Sequence, residues 1–499
     1  MRRVRHALTL GMLLASLSQI ASAAGESGKS EESWDAIYVG GKKIGYIHVT
    51  VTPVKDRGRD LLRVRVDQEF RIKRENDTMT MRTTYGTIET LNGEVLRLDH
   101  RTLASNQEMR VFGDVINNQM RIRLEGSGQP QEQIIPWSSD VRGPYAAEQS
   151  LSRQPIKPGE TRSLRLYIPD VNKICEGKLS AKAMEEVLLG DGKRPLLRVE
   201  QTLRIDNKPF PGGDATLWID SGGQVLKTRS DLFRDQGGME YYRTTREGAM
   251  SGESADFNLL QASIVKIGNK INKPETRRHI IYRVSLAEED PSKVFPNDRR
   301  QTLRPDKKPK SAILEIKTAG PAEGAPTTEK VDAAYLRPNA MITSQDRTVV
   351  RLAETAVRGA QDPWEKVNRI EHWVAENLRD KNFRTAFAPA SEVAENLSGD
   401  CTEHSVLAAA MYRAQGIPAK VVVGLVYADR LGGFGYHMWN EVYVNNRWVA
   451  VDSAFDQSSV DAVHIKLDES SLDGVSPVES MLSVIRVIGK LSIEPLELR

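Results

Sequence analysis

The sequence predicts an α+β chain: large antiparallel β domains followed by a core that opens with helices. Three observations carry this. Segments alternating apolar and polar residues recur from residue 34 to 250, as half-buried strands do. A Pro/Gly/Ala/Thr-rich stretch, "TAGPAEGAPTTEK" (318–330), then interrupts the chain as a domain boundary would. From Tyr335 onward the apolar spacing becomes helical.

The first 23 residues read as a secretory signal. Arg2, Arg3 and Arg5 precede a short apolar core, Leu8 to Leu17, and Ala21-Ser22-Ala23 is a small-x-small cleavage pattern. The apolar run is too short to span a bilayer, and no later run is long enough, so no integral membrane segment is expected in the mature chain. The formal charge of +3 comes from 70 basic and 67 acidic side chains; losing the three signal arginines leaves 67 against 67. That balance gives no footing for a nucleic-acid partner. Export predicts a periplasmic or extracellular location, and two cysteines permit one bridge, Cys175 to Cys401, or none.

Residues 24–33 are a polar lead-in expected to be disordered. "WDAIYVGGKKIGYIHVTVTPV" gives two β runs around Gly40-Gly41, a hairpin signal. "LLRVRVDQEFRIK", "TMTMRTTYGTIETL", "EVLRLDHRTL", "QMRIRLEG", "LLRVEQTLRI" and "ATLWIDSGGQVLKTRS" continue the pattern. Residues 34–250 therefore form one antiparallel β region, either a single curved sheet or two sub-domains. It resembles the half-barrel β domains of some exported bacterial proteins, which often bind other molecules on the concave face. After "SGESAD" (251–256), "RRHIIYRVSL" and "SAILEIKTA" predict a small β domain at 257–318, followed by a linker at 319–334.

The helical core is assigned to 335–457, with 458–499 as a C-terminal extension. One helix follows Asp362 as N-cap, with Pro363 in the first turn and Val367, Ile370, Trp373, Val374 and Leu378 as its apolar stripe. A second opens at about Cys401, capped by Ser398 or Asp400 and stopped by Gly416-Ile417-Pro418. Its unpaired N–H groups and positive dipole end favour a thiolate at Cys401. "YHMWNEVYV" and "RWVAVDSAF" form a hairpin about Asn445-Asn446. In that register Val444 faces Arg447, and His437 and Asp452 become diagonal neighbours on one face. A base and its orienter would then stand on a rigid hairpin, with Asp452 fixing the tautomer of His437 and the other ring nitrogen facing Cys401.

These motifs resemble the transglutaminase-like superfamily. "GDCTEHSVLAAAMYRAQGIPAKVVVG" and "YHMWNEVYVNNRWVAVDSAF" carry its Gly-x-Cys before a helix, Gly-Ile-Pro-Ala at the helix end, His-x-Trp-x-Glu-Val-Tyr in a strand and Trp-Val-x-Val-Asp in the next. The family often continues with Pro-Thr; here Ser453-Ala454 follow. The resemblance implies a papain-like transglutaminase core, with the helix bearing the Cys and an antiparallel sheet bearing His and Asp. It implies Cys401 as nucleophile, His437 as base and Asp452 as orienting acid.

Such a triad attacks an amide carbonyl to give a thioester. Water then yields a peptidase or amidase, and an amine yields a transglutaminase. The expected function is cysteine-dependent acyl transfer or hydrolysis on protein or peptide amides, with hydrolysis favoured and cell-wall peptide a candidate substrate. The alternative is a non-catalytic exported binding protein that works through its β domains. His404, three residues after Cys401, and Trp439 are expected to border the substrate. Cys401, His404, His437 and Asp452 lack the local spacing of zinc motifs, so neither metal nor other cofactor is expected. "DRLGGFG" (429–435) reads as a flexible loop able to gate access.

Overall fold

A computed structural model describes residues 30–498 apart from 75–76, 105–106, 127–129, 253–256, 323–330, 380–386 and 476. The signal region 1–23, most of the lead-in, and parts of both expected linkers lie outside these residues. The chain divides into two compact units that meet in sequence at Ala262/Ser263.

In the first unit the alternating segments form one hydrogen-bonded sheet of 16 strands. Strands from Glu31–Val39 to Gln131–Pro136 run as an antiparallel meander. Thr161–Ile168 through Met239–Thr244 form a second, and Glu31–Val39 pairs with Met239–Thr244 to join them. Gly40 and Gly41 take positive φ (57° and 75°), so the two-residue turn between the first strands is the kind that matches strand twist. Val95, Leu98, Val111, Met120, Ile122, Trp137, Val141 and Tyr167 form one apolar cluster beneath the sheet.

The second unit holds two sheets and, among the described residues, the longer helices. Val265–Lys266, Gly433–Val444, Ala419–Ala428 and His464–Ser470 are neighbours in a five-stranded sheet, with Arg447–Val451 on the free half of Gly433–Val444. A four-stranded sheet runs Gln301–Pro305, Ser311–Lys317, His279–Leu286, Leu491–Leu498. Segments that read as a small β domain (257–318) and a C-terminal extension (458–499) thus share sheets, and 464–470 pairs directly with the hairpin domain. The sheets are bolted together through buried groups. Lys466 Nζ bonds Glu441 (2.9 Å) and Asp298 (3.0 Å), and the Gln301 side chain bonds both backbone groups of Lys466 at 2.9 Å. A buried charge left unpaired would cost several kcal/mol, and here the cation meets carboxylates on two elements.

Local chemistry explains the helices. Asp362 accepts from Glu365 N (2.9 Å) and Pro363 occupies the first turn. Val367, Ile370, Val374 and Leu378 are buried, whereas Trp373 and Trp364 are only half-buried, at the margin of that stripe. The Cys401–Ala414 helix is buried on every side from Cys401 to Arg413. Its end is held by Arg413, whose guanidinium donates to Ala419 O (2.9 Å), Ser471 O (3.0 Å) and Arg337 O (2.9 Å). Among the described residues no helix is long and apolar enough to cross a membrane.

Candidate functional site

Asp400, not Ser398, caps the helix that begins at Cys401. Its carboxylate accepts from Thr402 N (2.9 Å), and Glu403 reaches back to accept from Asp400 N (3.0 Å), closing a capping box. Gly399 is required twice over. Its φ is +141°, and a Cβ there would lie 2.4 Å from the Glu403 side chain. The Gly-x-Cys pattern is thus the local recipe for presenting Cys401, 2% exposed, at a helix N-terminus.

The hairpin carries His437. Asn445 and Asn446 take φ of 52° and 57°, and Val444 pairs with Arg447 in the predicted register. Ladder pairing ends at Val451, and Asp452 turns in to receive His437 Nε2 on Oδ2 at 2.6 Å. Asp452 Oδ1 accepts from Ala454 N (2.9 Å). With Nε2–H engaged, His437 Nδ1 carries the lone pair, and among the described residues it has no hydrogen-bond partner. Phe455 stacks on the imidazole at 4.6 Å and 9°. The strand meets the cysteine helix through Asn440 Nδ2, which donates to Ser405 O (3.0 Å) one turn beyond Cys401. Burial first, and then the charge of Cys401, push the Tyr436 phenol well above its ordinary value.

Two groups from the expected extension extend this arrangement. His464 Nε2 lies 3.1 Å from Asp452 Oδ2, and its Nδ1 lies 2.7 Å from Asp461 Oδ1. The row His437–Asp452–His464–Asp461 is buried throughout. Burial opposes ionisation of Asp452, but His437 and His464 outweigh it and hold the carboxyl well below the usual range. Burial likewise disfavours the charged His464, and Asp461 and Asp452 more than reverse this, raising it. Glu371, on the Pro363–Asn377 helix, is pushed up to about 8 by burial, with Ser458 Oγ donating to it at 3.0 Å in partial opposition and Asp456 and Asp452 adding to the rise.

His404 and Trp439, expected to border the substrate, are both fully buried. His404 Nδ1 bonds Asp400 O (2.7 Å) and so ties the helix start. Trp439 sits with Val422, Ala450 and Val460 behind His437, in space that Gly424 leaves open; a Cβ at Gly424 would lie 2.6 Å from the indole. The "DRLGGFG" segment is ordered by a short 3₁₀ turn, Asp429–Leu431, and joins the sheet from Gly433 beside Val265, whose carbonyl needs the missing side chain. Cys175 and Cys401 are both buried, and neither is in a disulfide among the described residues. Cys175 lies within the Lys173–Leu189 strand.

Among the described residues, His437, Asp452 and His464 form a three-donor group whose ligand atoms lie within 4.8 Å of one another. Those same atoms already bond each other through Asp452 Oδ2, so a metal ion would have to displace both hydrogen bonds. His464, Asp461, Phe455 and Glu371 were not picked out from sequence. The only local hint was the His464–Asp461 spacing, and their partner Asp452 is reached across a loop.

Residues 350–453 match the transglutaminase-like superfamily. No curated protein matches the sequence. Among solved structures, a candidate cysteine protease from Cytophaga hutchinsonii is 14% identical, covering 45% of this chain and 87% of its own (TM-score 0.29). A β-barrel-like protein of a domain of unknown function from Brucella abortus is 10% identical, covering 44% of this chain and 95% of its own (TM-score 0.32). The periplasmic domain of TgpA from Pseudomonas aeruginosa, bound to ethylmercury, is 12% identical, covering 37% and 93% (TM-score 0.23).

Proposed function

From the transglutaminase-like domain at 350–453, we propose an exported enzyme of cysteine-dependent acyl transfer or hydrolysis on protein or peptide amides. Cys401 is the nucleophile, His437 the base and Asp452 the orienting acid. The observation that carries the reading is the buried 2.6 Å bond from His437 Nε2 to Asp452, which leaves Nδ1 as the basic nitrogen on a strand joined to the cysteine helix.

Asp452, ionised, accepts the Nε2 proton and fixes that tautomer. His437 Nδ1 takes the Cys401 proton, and the helix N-terminus supports the thiolate. The sulfur adds to the amide carbonyl, and the oxyanion is received by the Cys401 backbone N–H. The amine leaves with the proton from His437, and a thioester remains. Water or an amine, deprotonated by the same nitrogen, then releases the acyl group. Hydrolysis is favoured over cross-linking, and the signal-like first 23 residues support export to the periplasm or outside the cell, where cell-wall peptide is a candidate substrate.

The test is iodoacetamide labelling of the mature protein from about pH 4 to about pH 9, a span that brackets activated and ordinary thiols. Rapid labelling of Cys401 near neutrality, slowed in His437→Ala and absent in Cys401→Ser, supports the reading. It leads to peptide substrates offered with and without a primary amine. An ordinary thiol profile sinks the enzyme reading and turns attention to binding by the β sheet.

A further inference from the structure

His464 stands between two carboxylates. Nε2 faces Asp452 Oδ2 at 3.1 Å and Nδ1 faces Asp461 Oδ1 at 2.7 Å, in a site with no exposure. An ionised carboxylate only accepts, so each ring nitrogen must carry a proton for both contacts to be hydrogen bonds. That condition is met only by an imidazolium. Asp452 Oδ2 is shared: it receives His437 on one side and His464 on the other.

The far end of the row is equally tied down. Asp461 Oδ2 accepts from Gln457 Nε2 (2.9 Å), and Oδ1 accepts from Val463 N (3.1 Å) as well as from His464. The four-stranded sheet holds this loop from the other side. Tyr282 Oη donates to Ala462 O (3.1 Å), and Arg300 Nη2 donates to Asp461 O (2.7 Å). A catalytic carboxylate alone needs none of these parts.

We propose that His464 is a positioning residue of this site: a charged imidazolium clamped by Asp461 that holds the Asp452 carboxylate in line with His437. The proposal rests on the acyl-transfer reading for its consequence, but not for the charge on His464. The cation faces Asp452 and Asp461, and the His437 ring at 5.5 Å. Arg300 and Tyr282 lie beyond Asp461, and Glu371 and Tyr412 beyond Asp452. Its charge opposes that of Asp452, so removing it strengthens the negative field on His437 and Cys401 and makes both hold their protons to higher pH. Removing Asp461 instead leaves the cation less balanced and shifts the same groups the other way.

The experiment joins two measurements on the full mature chain. Imidazole ¹⁵N spectra at about pH 7.5, a pH at which an ordinary histidine is largely neutral, are expected to show both His464 nitrogens protonated. A neutral His464 with one protonated nitrogen overturns the proposal. The onset of iodoacetamide labelling of Cys401 is then compared across variants. His464→Gln moves it up by roughly one pH unit, a roughly tenfold lower rate on the acid side, and the isosteric Asp461→Asn moves it down. Slower labelling at an unchanged onset in both variants means mere structural support and also overturns it. If His464→Gln does not fold, Asp461→Asn carries this arm. If the wild type itself labels as an ordinary thiol, the acyl-transfer reading fails, and the ¹⁵N spectra still decide the charge on His464.

Discussion

Among the described residues, buried histidine–aspartate pairs occur in both units. In the β sheet, His100 Nε2 lies 3.3 Å from Asp170 and 3.1 Å from Thr102. In the transglutaminase-like unit, His437 Nε2 lies 2.6 Å from Asp452. Each unit also has one buried cysteine. Burial pushes the Cys175 thiol, in mid-strand, up to about 12. Cys401 instead begins a helix, where the positive end of the dipole favours a thiolate. Residue types alone therefore do not make a site. The second set differs in having its cysteine at a helix N-terminus and its histidine on a strand bonded to that helix.

The comparison breaks most visibly at the cysteines. Cys401→Ala should reduce amide turnover by on the order of 10⁴-fold or more, as loss of a nucleophile does; Cys175→Ala should leave it unchanged. Peptide hydrolysis assays on both variants check this, and equal losses would erase the distinction between the units. Asp452→Asn comes next. It should slow amide turnover by on the order of 10⁴-fold through the wrong His437 tautomer, read in the same peptide hydrolysis assay, while Asp170→Asn affects only stability.

The pH dependence of stability sharpens the contrast further. Asp452 is held below the ordinary carboxylate range, so its contribution is present above its unfolded value and lost as pH falls. Glu371 has the opposite sign. Its carboxyl keeps a proton up to about 8 where the unfolded chain would release it, so stability declines as pH rises from the ordinary glutamate range toward 8. Glu371→Gln should stabilise by on the order of 2 kcal/mol near the top of that window and little at its foot. Thermal melts at both ends check the sign, and an equal effect at both would refute it. The smallest effect belongs to the cap: Asp400→Ala should cost about 1 kcal/mol, with Cys401 labelling slowed by the frayed first turn.

The sequence by itself determined the parts that depend on near neighbours. The helix start near Cys401, with Ser398 or Asp400 as its cap, was legible because cap bonds close within one turn, and the structure chose Asp400. Asn445-Asn446 specifies the turn, and the turn specifies the register that brings His437 near Asp452, since strand periodicity carries it outward from the turn. The tertiary structure alone decided what depends on remote pairing. Leu491–Leu498 joins His279–Leu286, and His464–Ser470 joins Ala419–Ala428, across separations that no local pattern encodes. The second pairing brings His464 to Asp452, and side chains from the four-stranded sheet hold the loop bearing Asp461. Burial of His404 and Trp439 is of the same kind. A helix buried on all sides and a ring fitted above Gly424 are set by what packs around them, because apolar periodicity says which face turns inward but not how deeply the whole element is covered.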